Sequence, residues 1–274
     1  MSSTNSHPLR YEAGRLVLRP GTRPYMFHMI LRGEALWTKG VIAAMARVFA
    51  DHDVNILQVK TSAIDDKVVV IVFADFKGAE DKVELVSREL RKLTPVESLR
   101  VVPPLADGIA VDTVSFPVSL SDERAIIIRK SLYSGFIRGG WERFGAPYAA
   151  LLYAVGLDAG HSTFTRHASL SPDPGVQVRL AQAFFQTQGF GVLEVVKLDD
   201  GDKEATIRVY DSFECELFKG AGGPRSGFVR GLLAGWLAAR WGLEFGDIVA
   251  REEKCIAKGD PYCEIKIFKS KSQK

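Results

Sequence analysis

Apolar positions along the first hundred residues switch between a two-residue and a helical period, and each switch marks an element. Tyr25–Leu31 is an apolar, strand-like run. In Gly40–Phe49 the positions Val41, Met45 and Val48 fall on one helical face. Asn55–Ala63 follows the Asp51-His52-Asp53 turn as a second strand, and Val68–Phe73 (VVVIVF) is a β-branched run suited to a central strand. Val83, Val86, Leu90 and Leu93 give Glu80–Leu93 an apolar face; Val96–Val102 closes the set before Pro103-Pro104. The order strand, helix, strand, strand, helix, strand predicts a ferredoxin-like sandwich over 23–104, with two helices on one face of an antiparallel sheet.

Residues 1–22 are expected to be a tail and leading segment, and 105–120 a linker with an entering strand at Val111–Val118. Ser121-Asp122 then reads as the cap of a helix reaching Phe144, with Ile128, Leu132, Phe136 and Ile137 on its buried side. Pro147 starts a helix over Tyr148–Gly156, and Gly189 closes another over Gly175–Gln188. Strands at Val192–Leu198 and Ala205–Phe213 turn at Asp199-Asp200-Gly201-Asp202. A helix at Gly227–Trp241 precedes strands Ile248–Lys254 and Tyr262–Phe268, which turn at Gly259-Asp260-Pro261. The whole chain is therefore α+β, with a second domain of helices on an antiparallel sheet over 121–268 and a basic tail at 269–274.

At 274 residues the chain has room for two such domains, and 46% hydrophobic with 25% charged residues describes a globular protein. Thirty-six basic against 33 acidic residues leave a net charge of +3 with no concentrated block, so nucleic-acid binding is not indicated. No apolar run approaches the ~18–20 residues of a membrane span, and the polar Met1–Pro8 stretch lacks a signal's apolar core. A cytoplasmic location is the expectation.

The chemistry-bearing residues gather late. Cys215, Cys255 and Cys263 are the only cysteines, and a cytoplasmic chain disfavours a disulfide framework. One strand ends in Cys255, a Gly-Asp-Pro turn reverses the chain, and Cys263 opens the returning strand, which brings both sulfurs to one end of the hairpin. Glu252, on the same strand as Cys255, supplies a third donor for a metal such as zinc, with the fourth position open. Buried thiols that only pack are the alternative. Gly220–Arg225 lacks both the Walker ending and the dinucleotide spacing, and reads as a flexible turn. Gly231 and Gly235 read as close-packing positions. His161 and His167 have no nucleophile motif beside them and read as exposed loop histidines.

Two resemblances sharpen this picture. The order of the first domain, and its corner Phe49-Ala-Asp-His-Asp-Val-Asn-Ile56, resemble an ACT domain, a regulatory module that often binds amino acids between paired copies. Its loop after the first strand carries Gly33 but lacks the family's aspartate, so pairing or scaffolding stands beside amino-acid binding as its role. The run Glu252-x-x-Cys255-x-x-x-Gly259-Asp260-x-x-Cys263, the glycine-rich helix before it, the strand phrase Asp211-Ser212-Phe213-Glu214 and the helix phrase Ala149–Gly156 resemble the 4-vinyl reductase domain family. That family includes effector-sensing domains of phenol- and xylene-responsive activators, and its fold is related to small vesicle-tethering subunits. The resemblance implies zinc on Glu252, Cys255 and Cys263. The family's fourth ligand, a cysteine, falls near Arg225-Ser226, where this chain has none; Cys215 is the replacement, placed on the neighbouring strand on one face with Phe213. It also implies an apolar ligand pocket between helices and sheet, for which the candidates are Trp141, Tyr148, Tyr153, Phe185 and Tyr210.

The function that follows is a small-molecule-binding regulatory or sensor protein, taking a small apolar or aromatic ligand in its second domain. It would act as a homodimer, paired through the ACT-like sheets edge to edge or face to face or through the first long helix, Asp122–Phe144, with a protein partner for output. A reductase or accessory protein acting on a tetrapyrrole vinyl group is the enzymatic alternative, though no acid/base pair or cofactor fingerprint accompanies it. A scaffold or tether-like interaction protein is the third reading.

Overall fold

The computed structural model describes residues 11–223 and 225–270. The chain divides between Ile126 and Ile127 into two compact units. The expected frayed start and basic end, and Pro224 within the glycine-rich turn, lie outside the described residues wholly or in part.

In the first unit the strands are β1 (Leu16–Leu18), β2 (Pro24–Arg32), β3 (Asn55–Ile64), β4 (Lys67–Asp75), β5 (Val96–Val102) and β6 (Ile109–Val111), with helices α1 (Val41–Asp51) and α2 (Val83–Lys92). The main sheet has the order β3-β4-β2-β5, antiparallel throughout, as a ferredoxin-like fold requires. The two central strands are the near-continuous apolar runs of the sequence, because both of their faces are covered. One face packs Phe27, Met29, Val70 and Val72 against Met45, Phe49, Val86 and Leu90 of the helices. The other packs Met26, Ile71 and Phe73 against Val17 and Ala110 of a small ribbon formed by β1 and β6. Gly33 lies close to the β3–β4 turn: a Cβ there would stand 2.5 Å from the Asp66 carbonyl oxygen.

The flanks of this sheet depart from the sequence reading. The leading segment and the supposed linker are joined as β1 and β6, and the entering strand at Val111–Val118 does not form. Instead Asp112 accepts backbone N–H bonds from Val114 and Ser115 and pairs with Arg15 at 2.9 Å, which folds the chain into a turn. Ser121 and Asp122 do not cap a helix; with φ of 50° and 70° they turn a two-residue hairpin between β7 (Ser119–Leu120) and β8 (Glu123–Arg124).

The second unit contains α3 (Lys130–Phe144), α4 (Ala146–Leu170), α5 (Pro174–Thr187), β9 (Val192–Asp199), β10 (Glu204–Tyr210), the single turn α6 (Phe213–Glu216), α7 (Gly227–Trp241), β11 (Ile248–Lys254) and β12 (Cys263–Lys269). Its sheet has the antiparallel order β11-β12-β10-β9. Helix α4 is far longer than its sequence suggests, because Gly156 and Gly160 act as contact points and not as stops. A Cβ at Gly160 would stand 2.0 Å from the Leu232 carbonyl oxygen, and one at Gly235 2.0 Å from that of Leu157. Four glycines, two on α4 and two on α7, thus let the backbones of these helices touch. Along α3 the expected buried side is only partly inside: Ile137 is 5% exposed, but Leu132 and Phe136 are 55% and 58% exposed.

Candidate functional site: a cysteine–glutamate cluster and an apolar cavity

The strand β10 ends at Tyr210, and Asp211 with φ 50° breaks it. Ser212 then caps α6 by accepting the Cys215 N–H at 3.3 Å. Cys215 therefore comes from a helical turn, not from a strand face shared with Phe213, and that turn carries it under the hairpin. On the other side, Asp260 accepts the Cys255 N–H at 2.8 Å and Gly259 takes φ 103°, so the segment after β11 curls back toward β12. The result gathers four donors: the ligand atoms of Cys215, Glu252, Cys255 and Cys263 all lie within 4.8 Å of one another. The Cys255 and Cys263 sulfurs are 3.9 Å apart, and the Cys215 sulfur is 3.8 Å from Glu252 Oε1. All three thiols are free and buried.

This donor set can hold a metal ion. A tetrahedral ion with sulfur ligands at about 2.3 Å spaces those ligands roughly 3.8 Å apart, close to the separations found. The electrostatics agree. Hydrogen bonds from Cys215 and Cys263 pull the Cys255 thiol down toward the thiolate, and the bond to Cys255 holds Cys215 up as its protonated partner. Burial, with the Cys255 charge beside it, pushes Glu252 up to about 7. Four groups that ionise to anions are crowded into a buried space, which a cation relieves.

A second acid stands next to the cluster with a different task. Glu214 is completely buried, and its carboxylate accepts the N–H groups of Phe228 at 2.9 Å and Val229 at 2.7 Å. It satisfies the start of α7, whose free N–H groups would otherwise be stranded in the core. Burial raises it to about 7, against the pull of those bonds.

An apolar cavity of ≈ 180 Å³ lies between α4, α5, α7 and the sheet, walled by groups such as Phe184, Phe185, Phe190, Leu232 and Trp236. Of the five aromatic candidates only Phe185 lines it. Trp141 faces a separate pocket beside Glu252; Tyr148 donates its hydroxyl to the Phe136 carbonyl at 2.6 Å; Tyr153 sits under Arg230; Tyr210 donates to Glu194 on the sheet's outer face. The rest of the wall comes from Leu193 and Val195 of β9, Ala205 and Ile207 of β10, and Phe228 and Leu232 of α7, none of which the sequence reading named as a pocket residue.

Thr163, Gln182 and Gln188 also line the cavity, but its fully buried polar group is His167, which the sequence reading put in an exposed loop. It lies on α4 and is 2% exposed. Trp236 Nε1 donates to His167 Nδ1 at 3.1 Å, so the neutral ring carries its proton on Nε2. Burial lowers its pKa. The i, i+3/i+4 continuation of the apolar face past Gly156 was the signal that could have placed it. His161 is on the same helix but exposed.

Among known families, residues 38–94 match the ACT domain. An uncharacterized protein of Methanocaldococcus jannaschii, MJ0150, is 27% identical over 132 residues, which is 47% of this chain and 69% of that protein. Among solved structures, the phenol-responsive sensory domain of the transcription activator PoxR with phenol is 16% identical, with a TM-score of 0.49 over 55% of this chain and 79% of that one. A vinyl-4-reductase family protein from Methanocaldococcus jannaschii is 18% identical, with a TM-score of 0.31 over 44% of this chain and 68% of that one. No helix among the described residues is long and apolar enough to cross a membrane. The ACT match identifies the helices α1 and α2 and the strands between them as an ACT domain, one part of a longer chain.

Proposed function

We propose that this is a small-molecule-responsive regulatory protein whose second unit is a 4-vinyl reductase-type receptor for one small aromatic ligand. The observation that carries this reading is the cavity. At ≈ 180 Å³ it exceeds the roughly 150 Å³ that suffices to hold a benzene ring, and its walls are almost wholly apolar with one buried imidazole. A single ring fits; a tetrapyrrole does not, which disfavours the reductase alternative for this cavity. The ACT match supports a regulatory setting. Zinc on Cys215, Glu252, Cys255 and Cys263 would tie α6 to the hairpin and so fix the floor on which α7 rests. On this reading the ligand acts by being bound.

The test is calorimetric titration and thermal melting with phenol and toluene. Either ligand is expected to raise the melting temperature, by about 2.7 kcal/mol of stabilisation at a hundredfold excess over Kd. Ala205→Leu, which fills the cavity from its central strand, should remove that effect. Two unshifted melting curves in the parent would end the reading.

A further inference from the structure

A second pocket in the same unit shares no lining residue with the apolar cavity and carries different chemistry. It has a volume of ≈ 190 Å³ and is walled by Trp141, Ala149, Leu152, Phe218, Arg225 and Arg230, with Glu252 and Ser226 also on its wall. We propose that it binds a small organic carboxylate, held by the two guanidinium groups with its apolar body against the remaining walls.

Three observations point there. First, the arginines are held in place by rings. The Arg225 guanidinium lies 4.1 Å from the Trp141 ring centroid, and that of Arg230 4.9 Å from the Tyr153 centroid, with Nη1 donating to the Ala250 carbonyl at 3.4 Å. A stacked, planar fork matches a carboxylate in two parallel bonds and loses little freedom on forming them. Second, the nearby acids are committed elsewhere. Glu252 accepts the Ser226 N–H at 3.2 Å and faces Cys215 at 3.8 Å, turned toward the cluster. Glu214 is held by the N–H groups of Phe228 and Val229. Arg230 forms no ion pair with any carboxylate among the described residues. Its charge is spread over a ring and a carbonyl, and a bound anion would complete it. Third, the rest of the wall includes Ala149, Leu152 and Phe218 beside the Trp141 ring, which suit a hydrocarbon body and offer an inorganic anion no partner. At about 30 Å³ per water the space equals roughly six waters, the scale of one ring or a short chain beside the carboxylate.

Benzoate is the probe, with benzamide as its neutral isostere and inorganic phosphate as charge without a body. Benzoate should bind the full chain with a Kd of about 1 mM or tighter, at least tenfold more tightly than benzamide or phosphate. Binding should change tryptophan fluorescence in the parent and in Trp236→Phe, but not in Trp141→Phe. Arg230→Gln and Arg225→Gln should each weaken benzoate at least tenfold. Arg230→Lys, which keeps the charge without the fork, should fall between parent and Arg230→Gln and guards against a variant that fails to fold. Ala205→Leu should leave benzoate binding unchanged while removing phenol binding, which separates this site from the apolar cavity. Equal affinity for benzamide or phosphate, indifference to Arg230→Lys and Arg230→Gln alike, or loss of benzoate binding in Ala205→Leu would each overturn the proposal.

Discussion

On the proposed reading, His167 is one buried group that sets both a ligand preference and a pH dependence. Its Nδ1 is occupied by the Trp236 N–H, and Phe184 lies beside the ring with 5.4 Å between centroids. Nε2–H is thereby left as the donor that an oxygen-bearing ligand would meet. The same burial lowers its pKa from the ordinary value of 6.5. A histidine whose pKa is lower folded than unfolded takes up fewer protons in the native state as acid is added. Its contribution to stability is therefore fully present above about pH 6.5 and is lost as the pH falls through the folded value. Glu214 and Glu252 act in the opposite direction, since both are raised to about 7 and lose their contribution as the pH rises toward that value. The histidine's part is isolated by comparing the parent with His167→Gln, whose amide oxygen can still accept from Trp236. Between pH 7 and pH 5 the parent should lose melting temperature relative to His167→Gln. Parallel curves over that range would show that the imidazole does not titrate in the fold.

At the scale of elements, what the sequence made legible follows from how locally each element is determined. The strands β2 and β4, and the helices α5 and α7, are set by runs that are apolar on the right period and stopped by proline or glycine. Their positions were readable to within a residue or two. Helix α4 was cut short because glycine reads as a breaker when its neighbours are unknown. Only the facing helix explains Gly156 and Gly160, just as only the hairpin explains why Cys215 belongs with Cys255 and Cys263. The cluster's residues were nameable from spacing, but the helical turn that delivers Cys215 was not, since Asp211 reverses the strand through a single left-handed residue. The cavity walls were hardest: four of five aromatic candidates stack or hydrogen-bond elsewhere, because aromatic content says nothing about which face is turned inward. The contact between α4 and α7 gives a sharp test. In Gly235→Ala the new methyl would meet the Leu157 carbonyl oxygen at 2.0 Å, which is backbone and cannot swing away. The helices must separate, at a cost of about 3 kcal/mol, and the melting temperature should drop by roughly 6–12 °C. Gly246→Ala, which meets nothing within 4 Å, should leave it unchanged or slightly raised. Equal melting of the two variants would mean that the helices do not touch in solution as they do here.

For the whole molecule, the distribution of uncovered apolar surface decides how copies would associate. The first unit's sheet has helices on one face, and on the other its Met26, Ile71 and Phe73 positions are closed by the β1–β6 ribbon. That part of the sheet is not open for pairing face to face with a second copy. In the second unit, Leu132 and Phe136 on α3 and Leu151 and Val155 on α4 are between 48% and 58% exposed. If these side chains form one patch, a two-fold axis beside it would let each copy cover the same surface on the other. The expected state is a homodimer joined through α3 and α4. Light scattering at micromolar concentration should then give twice the 30.2 kDa chain mass. The double variant Leu132→Glu, Phe136→Glu would put like charges on both sides of a two-fold contact, and should yield a monomer that still binds phenol and still melts cooperatively. Since both side chains are more than half exposed, the substitutions leave the fold's own core intact, so loss of the dimer can be read as loss of the contact. A parent that runs as a monomer, or a double variant that remains dimeric, would place the association elsewhere.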